Sequence, residues 1–220
     1  MTISTFIIKN AMRNKRRALL SVSSVAASLF LLVTLQVAVR ELTLPPESLG
    51  AALRVAVRNK ISLTNPLPAR QRTLIEKIPG VEAVTPFTWF GGKYKGEEGM
   101  SFAQFAIEPQ ALGTVFSEAK MDAAGYKTFL EKKDSCVIGH VTAEKYGLKP
   151  GDRFALESTV YPGSLTFSVA GIYSGTPDDR NMLFRQDYLD DSIGTPGLVG
   201  MWWLKVKTPE DMPGVLTTVD

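Results

Sequence analysis

The feature that most constrains this chain is a run of 22 residues without a charge, ALLSVSSVAASLFLLVTLQVAV, from Ala18 to Val39. At about 1.5 Å per helical residue it would reach about 33 Å, close to the roughly 30 Å hydrocarbon thickness of a bilayer. Five basic residues, Lys9, Arg13, Lys15, Arg16 and Arg17, precede it, and no acid does. Positive charge marks the cytoplasmic flank of a span. The sequence therefore predicts a transmembrane helix at Ala18–Val39, with residues 1–17 in the cytoplasm and residues 40–220 outside it. The competing reading is a cleaved signal peptide, whose apolar core is usually about 7–15 residues and ends at a small-x-small site. Here the core is longer and Gln36–Arg40 (QVAVR) offers no good A-x-A site, so an uncleaved span is expected.

The net charge of +3 belongs to that N-terminal tip: beyond residue 17 the chain has 20 basic and 22 acidic residues. Nucleic-acid binding would need cations spread over a folded face, and the tip suits an anionic lipid surface instead. Within it Ile3, Phe6, Ile7 and Ala11 share a helical face beside Lys9, Arg13 and Arg16. That spacing predicts an interfacial amphipathic helix over 1–17; the alternative is a solvated basic tail. Ser21, Ser24 and Ser28 lie along one face of the span. They allow either close approach of another helix or bonding back to their own. The single cysteine, Cys136, excludes an intrachain disulfide framework.

Pro45-Pro46 breaks the chain after the span, and strand and helix patterns then alternate. Leu53–Leu63 reads as a strand, Pro66–Ile78 as a short helix stopped by Pro79-Gly80, Val81–Trp89 as a strand and Ser101–Ile107 as another. Together they make a β-α-β unit near the membrane. Gln110–Ala119 and Lys127–Lys133 read as helical. A compact module follows: strand Ser135–Gly139, helix His140–Tyr146 ended by Gly147, strand Arg153–Thr159, and strand Leu165–Tyr173 with its alternation of apolar and polar residues. Leu198–Val206 is a last strand and Pro209–Val219 a starting helix, which would open a second β-α-β unit pairing with the first. The strand that would complete it lies beyond Asp220, so a truncated polypeptide is expected. The fold class is α+β.

No residue stands out as catalytic, cofactor-binding or metal-ligating. G-x-x-x-x-G-K-[ST] and G-x-G-x-x-G do not occur, and Gly91, Gly92 and Gly96 around Lys93 and Lys95 suit a hairpin loop. His140 is the only histidine, and metal and triad sites need partners. Cys136 sits in an apolar strand, where an inert thiol is the expectation. The acid pairs Glu97-Glu98, Asp178-Asp179 and Asp190-Asp191 fall in polar, turn-like sequence that solvates both members. Trp202-Trp203 in a strand sends one ring to each face.

The order of these parts resembles the N-terminal half of a MacB-type (FtsX-like) ABC transporter permease. The resemblance rests on FIIKNAMRNKRRALL (Phe6–Leu20) running into the span and on IPGVEAVTP (Ile78–Pro86). It continues through CVIGHVTAEKYGLKPGDRFAL (Cys136–Leu156), LTFSVAGIYSG (Leu165–Gly175), FRQDYLDD (Phe184–Asp191) and LKVKTPEDMPGVLTTVD (Leu204–Asp220). His140 departs from the small or polar residues more usual there. The resemblance implies an extracytoplasmic MacB-like core domain over 40–220, with a small α/β subdomain inserted at about 113–196, and three further spans after it. It also implies a non-catalytic permease subunit of the inner or plasma membrane, without a cofactor, that converts ATP use by a partner ATPase into extracytoplasmic movement. The partners implied are a cytoplasmic ABC ATPase subunit, a second permease copy or related permease, a periplasmic adaptor or substrate protein, and the lipid bilayer. Family cargoes include lipoproteins, peptides and hydrophobic drugs, and some members activate cell-wall hydrolases. The alternative from another class is a single-pass anchored domain that only binds a partner. A domain released by signal peptidase and a membrane-tethered enzyme stand behind it.

Overall fold

The structure is a computed structural model that describes residues 13–43, 52–62, 64–97, 99, 101–194 and 197–219. The expected interfacial helix falls largely on residues 1–12, and Pro45-Pro46 on 44–51; both lie outside the described residues. The chain divides into two compact units, residues 1–45 and 46–220.

Among the described residues the first unit holds one helix, α1 (Lys15–Thr43). It begins on the basic residues and carries the whole uncharged run, long and apolar enough to cross a membrane. Its apolar side chains are open: Leu20 is 71% and Phe30 69% exposed, which in water would be costly along such a length. Ser28 donates its hydroxyl to the Ser24 carbonyl (3.0 Å) and Thr34 to that of Phe30 (2.8 Å), so both hydroxyls are satisfied within the helix.

The second unit is an α+β domain whose described residues build one nine-stranded sheet. In chain order its elements are β1 (Arg54–Val57), β2 (Leu67–Pro68), a 3₁₀ turn (Ala69–Gln71), α2 (Arg72–Ile75), β3 (Val81–Trp89), β4 (Gly92–Tyr94) and β5 (Gln104–Ile107). A second 3₁₀ turn (Pro109–Leu112), α3 (Ala123–Glu131), β6 (Ser135–Gly139), α4 (His140–Tyr146), β7 (Arg153–Ser158) and β8 (Ser164–Tyr173) follow. Last come β9 (Met182–Arg185), α5 (Gln186–Ile193), β10 (Leu198–Val199), β11 (Met201–Val206), a 3₁₀ turn (Pro209–Asp211) and α6 (Met212–Val219). The strand order is β1-β11-β3-β5-β9-β6-β8-β7-β4, with β2 and β10 forming a separate pair.

The far part of the sheet closes on itself. Only Phe90 and Gly91 separate β3 from β4, yet β3 pairs with β5 and β4 with β7. The Phe90 N–H donates to Gln104 O (3.0 Å) and the Thr159 N–H to Gly91 O (3.0 Å), which sews the two edges together. The result is a barrel of six staves, counting β3 and β4 as one. Its interior holds Phe90, Phe154, Phe167, Met182 and Phe184. Gln104 reaches across the seam inside: its amide accepts from Gly92 N (2.7 Å) and donates to Gly92 O (3.0 Å), so this buried polar side chain replaces missing ladder bonds.

The near part is a three-stranded limb, β1-β11-β3. β11 is antiparallel to both neighbours, so β1 and β3 run parallel with β11 between them. The expected β-α-β unit is therefore present in split form. One limb face packs on α2 and α6 through Trp202, Leu204, Val206, Ile75 and Val215. The other packs against the outside of the barrel, where Phe87, Trp203, Val115, Phe116, Phe129 and Tyr173 share a second core. Adjacent strand residues thus serve different cores: Val137 joins the limb-side core while Cys136 and Ile138 point into the barrel.

Several elements differ from the sequence expectation for physical reasons. Gln110–Ala119 is a 3₁₀ turn followed by turns rather than a helix, because Val115 and Phe116 bury against the limb. The helix expected at Lys127–Lys133 starts earlier, at Ala123, where the Asp122 carboxylate accepts from the Gly125 N–H (2.7 Å) and caps it. The strand expected over Leu53–Leu63 stops at Val57, and the Asn59 side chain then accepts from the Ile61 N–H (2.9 Å) in a turn. Leu198–Val206 is broken at Gly200, where a Cβ would meet Phe87 O at 3.0 Å, so its two halves join different sheets. β9 and α5 had no counterpart in the strand and helix reading; a four-residue strand buried on both faces carries no alternation.

Candidate functional site

Where the limb meets the barrel, the contact is mostly aromatic. Phe87 stacks on Phe105 with ring centroids 4.0 Å apart and meets Trp203 edge-on at 5.4 Å. Most of the strength of such packing is apolar burial, which is non-directional, with a smaller gain from the stacked and edge-on ring geometry. A charged group sits at its margin. Arg54 of β1 forms an ion pair with Glu118, their side chains only 7% and 8% exposed. The guanidinium also lies 4.9 Å from the Phe116 ring centroid and 5.6 Å from that of Trp203. Its cross-strand neighbour is Lys205 of β11, also buried, whose ammonium donates to the Ser117 hydroxyl (3.3 Å). Arg54 and Lys205 thus both grip one segment, Gly113–Lys120. The far end of that segment is pinned to the barrel, where Lys120 and Ser174 exchange backbone hydrogen bonds of 2.8 and 3.0 Å.

The outer edge of the limb, β1, has no strand beside it among the described residues. Beside it runs a trough of about 600 Å³ lined by Val55, Val57, Arg58, Lys60, Leu216 and Val219. Leu74 and Leu216 nearby are 68% and 48% exposed. A smaller pocket of about 290 Å³ lies by α2, where Arg72 is held by Glu76 and Glu108. The hydrogen bond that Arg72 donates to the Glu76 carboxylate favours the charged guanidinium most, and burial works against it, leaving its pKa above the ordinary value.

The structure does not gather the residues that stood out in the sequence into one site. Cys136 is completely buried inside the barrel, and burial pushes its thiol pKa far up. His140 opens α4, and its Nδ1 lies 3.1 Å from the Asp179 carboxylate. Asp179 also accepts from the backbone N–H groups of Gly175 (2.8 Å) and Thr176 (2.9 Å) and from the Thr176 hydroxyl (2.6 Å). Burial disfavours its charge, but these bonds, with His140, outweigh that and hold its pKa below the ordinary value. The acid pairs are split rather than shared. Asp178 faces Arg180 (3.8 Å), Asp191 pairs with Lys133, and Asp190 accepts from the Gln186 amide (2.8 Å) while burial raises its pKa. Glu98 lies outside the described residues. Trp202 and Trp203 face opposite ways, and both pack into cores.

A transmembrane-length helix ahead of an α+β domain with a split β-α-β limb and an inserted barrel is a specific combination. The MacB-like periplasmic core domain family matches residues 18–219. The chain belongs to that family.

Among solved structures, the periplasmic region of MacB from Actinobacillus actinomycetemcomitans is similar at 14% identity and a TM-score of 0.53, covering 76% of this chain and 80% of that one. The extracellular domain of the ABC-type transporter YknZ from Gram-positive bacteria is similar at 16% identity and a TM-score of 0.49, covering 74% and 86%. At 14% identity the likeness to the MacB region concerns the fold alone. No curated protein matches the sequence.

In this MacB-like domain the residues that join limb to barrel were not legible one by one. Arg54 and Lys205 are 151 positions apart, and only strand pairing places them opposite each other. Each does break an apolar strand pattern, Arg54 before Val55 and Lys205 between Leu204 and Val206. A cation on a strand that is otherwise core is the signal that could have marked them.

Proposed function

We propose that this chain is part of a non-catalytic permease subunit of an ABC transporter, with α1 as its first transmembrane helix, its N-terminus in the cytoplasm and the limb-and-barrel domain outside. The observation that carries the reading is the direct succession, within about 200 residues, of a basic flank, a membrane-length helix and a MacB-like periplasmic core domain. Arg13, Lys15, Arg16 and Arg17 at the start of α1 support the orientation. In this reading a partner ATPase changes state in the cytoplasm, the spans move, and the outer domain follows, a two-state assembly biased by ATP. The domain's part is mechanical: the limb receives the movement and the barrel carries it outward. The cargo belongs to the lipoprotein, peptide or hydrophobic-drug class.

Topology and partnership are tested separately. A membrane-impermeant maleimide should label Lys207→Cys from outside intact spheroplasts and Arg13→Cys only after permeabilisation. The protein, cross-linked in its native membrane, should co-purify with a nucleotide-binding ATPase subunit. Reversed labelling removes the orientation, and no ATPase among the cross-linked partners removes the permease assignment.

The open edge of β1 favours one further reading, a single-pass anchored domain that binds a partner by strand addition. That reading predicts partner binding without any ATPase in the complex.

A further inference from the structure

We propose that Arg54, Lys205 and Glu118 form a registry latch that holds the limb at one fixed seat on the barrel and is the point at which that seat opens; the transmitted movement it would gate rests on the permease reading above. Arg54 and Lys205 stand directly opposite each other on β1 and β11. Like charges at such positions repel, and both are removed from water here. The place of Arg54 in that seat is therefore conditional on Glu118, the carboxylate that it holds, and on the segment that carries it. The same segment offers Ser117 to Lys205 and the Val115 carbonyl to Arg54 (3.4 Å). Three contacts thus come from Val115, Ser117 and Glu118, a set that neither a shift by one residue nor a tilt of the limb would preserve.

The aromatic surface alone would not choose that seat. Phe87, Phe116 and Trp203 would keep much of their contact if the limb slid by a few ångströms, because apolar burial is non-directional. The ion pair behaves in the opposite way. Its net contribution to stability is small, since desolvation offsets much of the attraction, but a half-made pair leaves a buried charge alone. Such a contact tolerates the closed position and the fully open, hydrated one, and penalises everything between. That is the profile of a two-position device.

The test uses the full chain in lipid nanodiscs. Spin labels at Lys207→Cys on the limb end and Glu157→Cys on the barrel report the limb–barrel distance; both sites are exposed, and buried Cys136 does not compete for label. The native charges should give one narrow distance distribution. The apolar triple variant Arg54→Met, Lys205→Met, Glu118→Met should fold and give a broadened or multiple distribution. In Glu118→Gln, hydrogen exchange at Phe116, Ala119 and Lys120 should rise at least about tenfold, and by a larger factor than exchange across β6. A folded triple variant with the same narrow distribution overturns the proposal. So does a triple variant that cannot fold, because the charges would then supply stability rather than registry. Neither readout involves an ATPase, so a failure here is separable from a failure of the permease assignment.

Discussion

Arg54 lies directly across the β1–β11 ladder from Lys205, two buried cations on neighbouring strands with Glu118 paired to the first. A domain of this size could have used apolar residues at both positions, as it does at Val55 and Leu204 beside them. Ionic contact at the margin of an aromatic interface makes the energetic consequences of single substitutions unequal.

Removing either partner alone strands the other. Arg54→Met and Glu118→Met should each lower unfolding stability by about 3–5 kcal/mol, whereas the double variant should lose clearly less than the sum. Denaturant unfolding of the chain in mild detergent measures all three. Additive losses would mean that the pair is not coupled.

Gln104 closes the barrel seam from inside. Gln104→Leu keeps the volume but leaves the Gly92 N–H and carbonyl without the amide that satisfies them. The expected loss is about 1–3 kcal/mol for a buried donor and acceptor left unpaired. Faster hydrogen exchange at Gly92 and Phe90 should accompany it, and an unchanged midpoint would contradict the seam assignment.

Gly139 is the tightest approach in the barrel wall, since a Cβ there would stand 2.1 Å from the Asp179 carbonyl oxygen. Gly139→Ala must push the Ser174–Asn181 loop away from the start of α4, at a cost of about 1–3 kcal/mol. The His140–Asp179 contact would be lost with it. A variant as stable as the parent, with that contact intact, would show that the loop yields freely.

The same loop should respond to acid. The folded pKa of Asp179 is depressed below its unfolded value, so its contribution to stability is complete above the unfolded value of about 3.9 and is lost as pH falls through the folded one. Exchange of the Gly175 and Thr176 amides, which the carboxylate accepts, should accelerate below about pH 4. In Asp179→Asn that acid-dependent step should disappear.

Cys136 tests the barrel interior. With its thiol fully buried and its pKa raised by burial and by the charge of Asp134, alkylation should wait for unfolding. Iodoacetamide labelling of the native chain should therefore follow the unfolding rate and become immediate in denaturant. Rapid native labelling would place solvent inside the barrel.

The sequence alone was enough to read the membrane-length helix and the local elements whose signals are contained within them. An uncharged run of bilayer length behind a basic flank needs no tertiary partner to be read. Nor do Val81–Trp89, Ser135–Gly139 or the helix from His140 ended by Gly147, which takes the left-handed conformation (φ 65°). Tertiary structure decided everything that depends on which strand lies beside which. It placed β11 between β1 and β3, turned Gln110–Ala119 from a helical pattern into a strap, and broke Leu198–Val206 at Gly200. It also brought Arg54, Lys205 and Glu118 together from three distant stretches of chain. The physical reason is range. Helix length, capping and alternation are settled by neighbours a few residues away, whereas pairing and burial are settled by surfaces that exist only after the chain has closed.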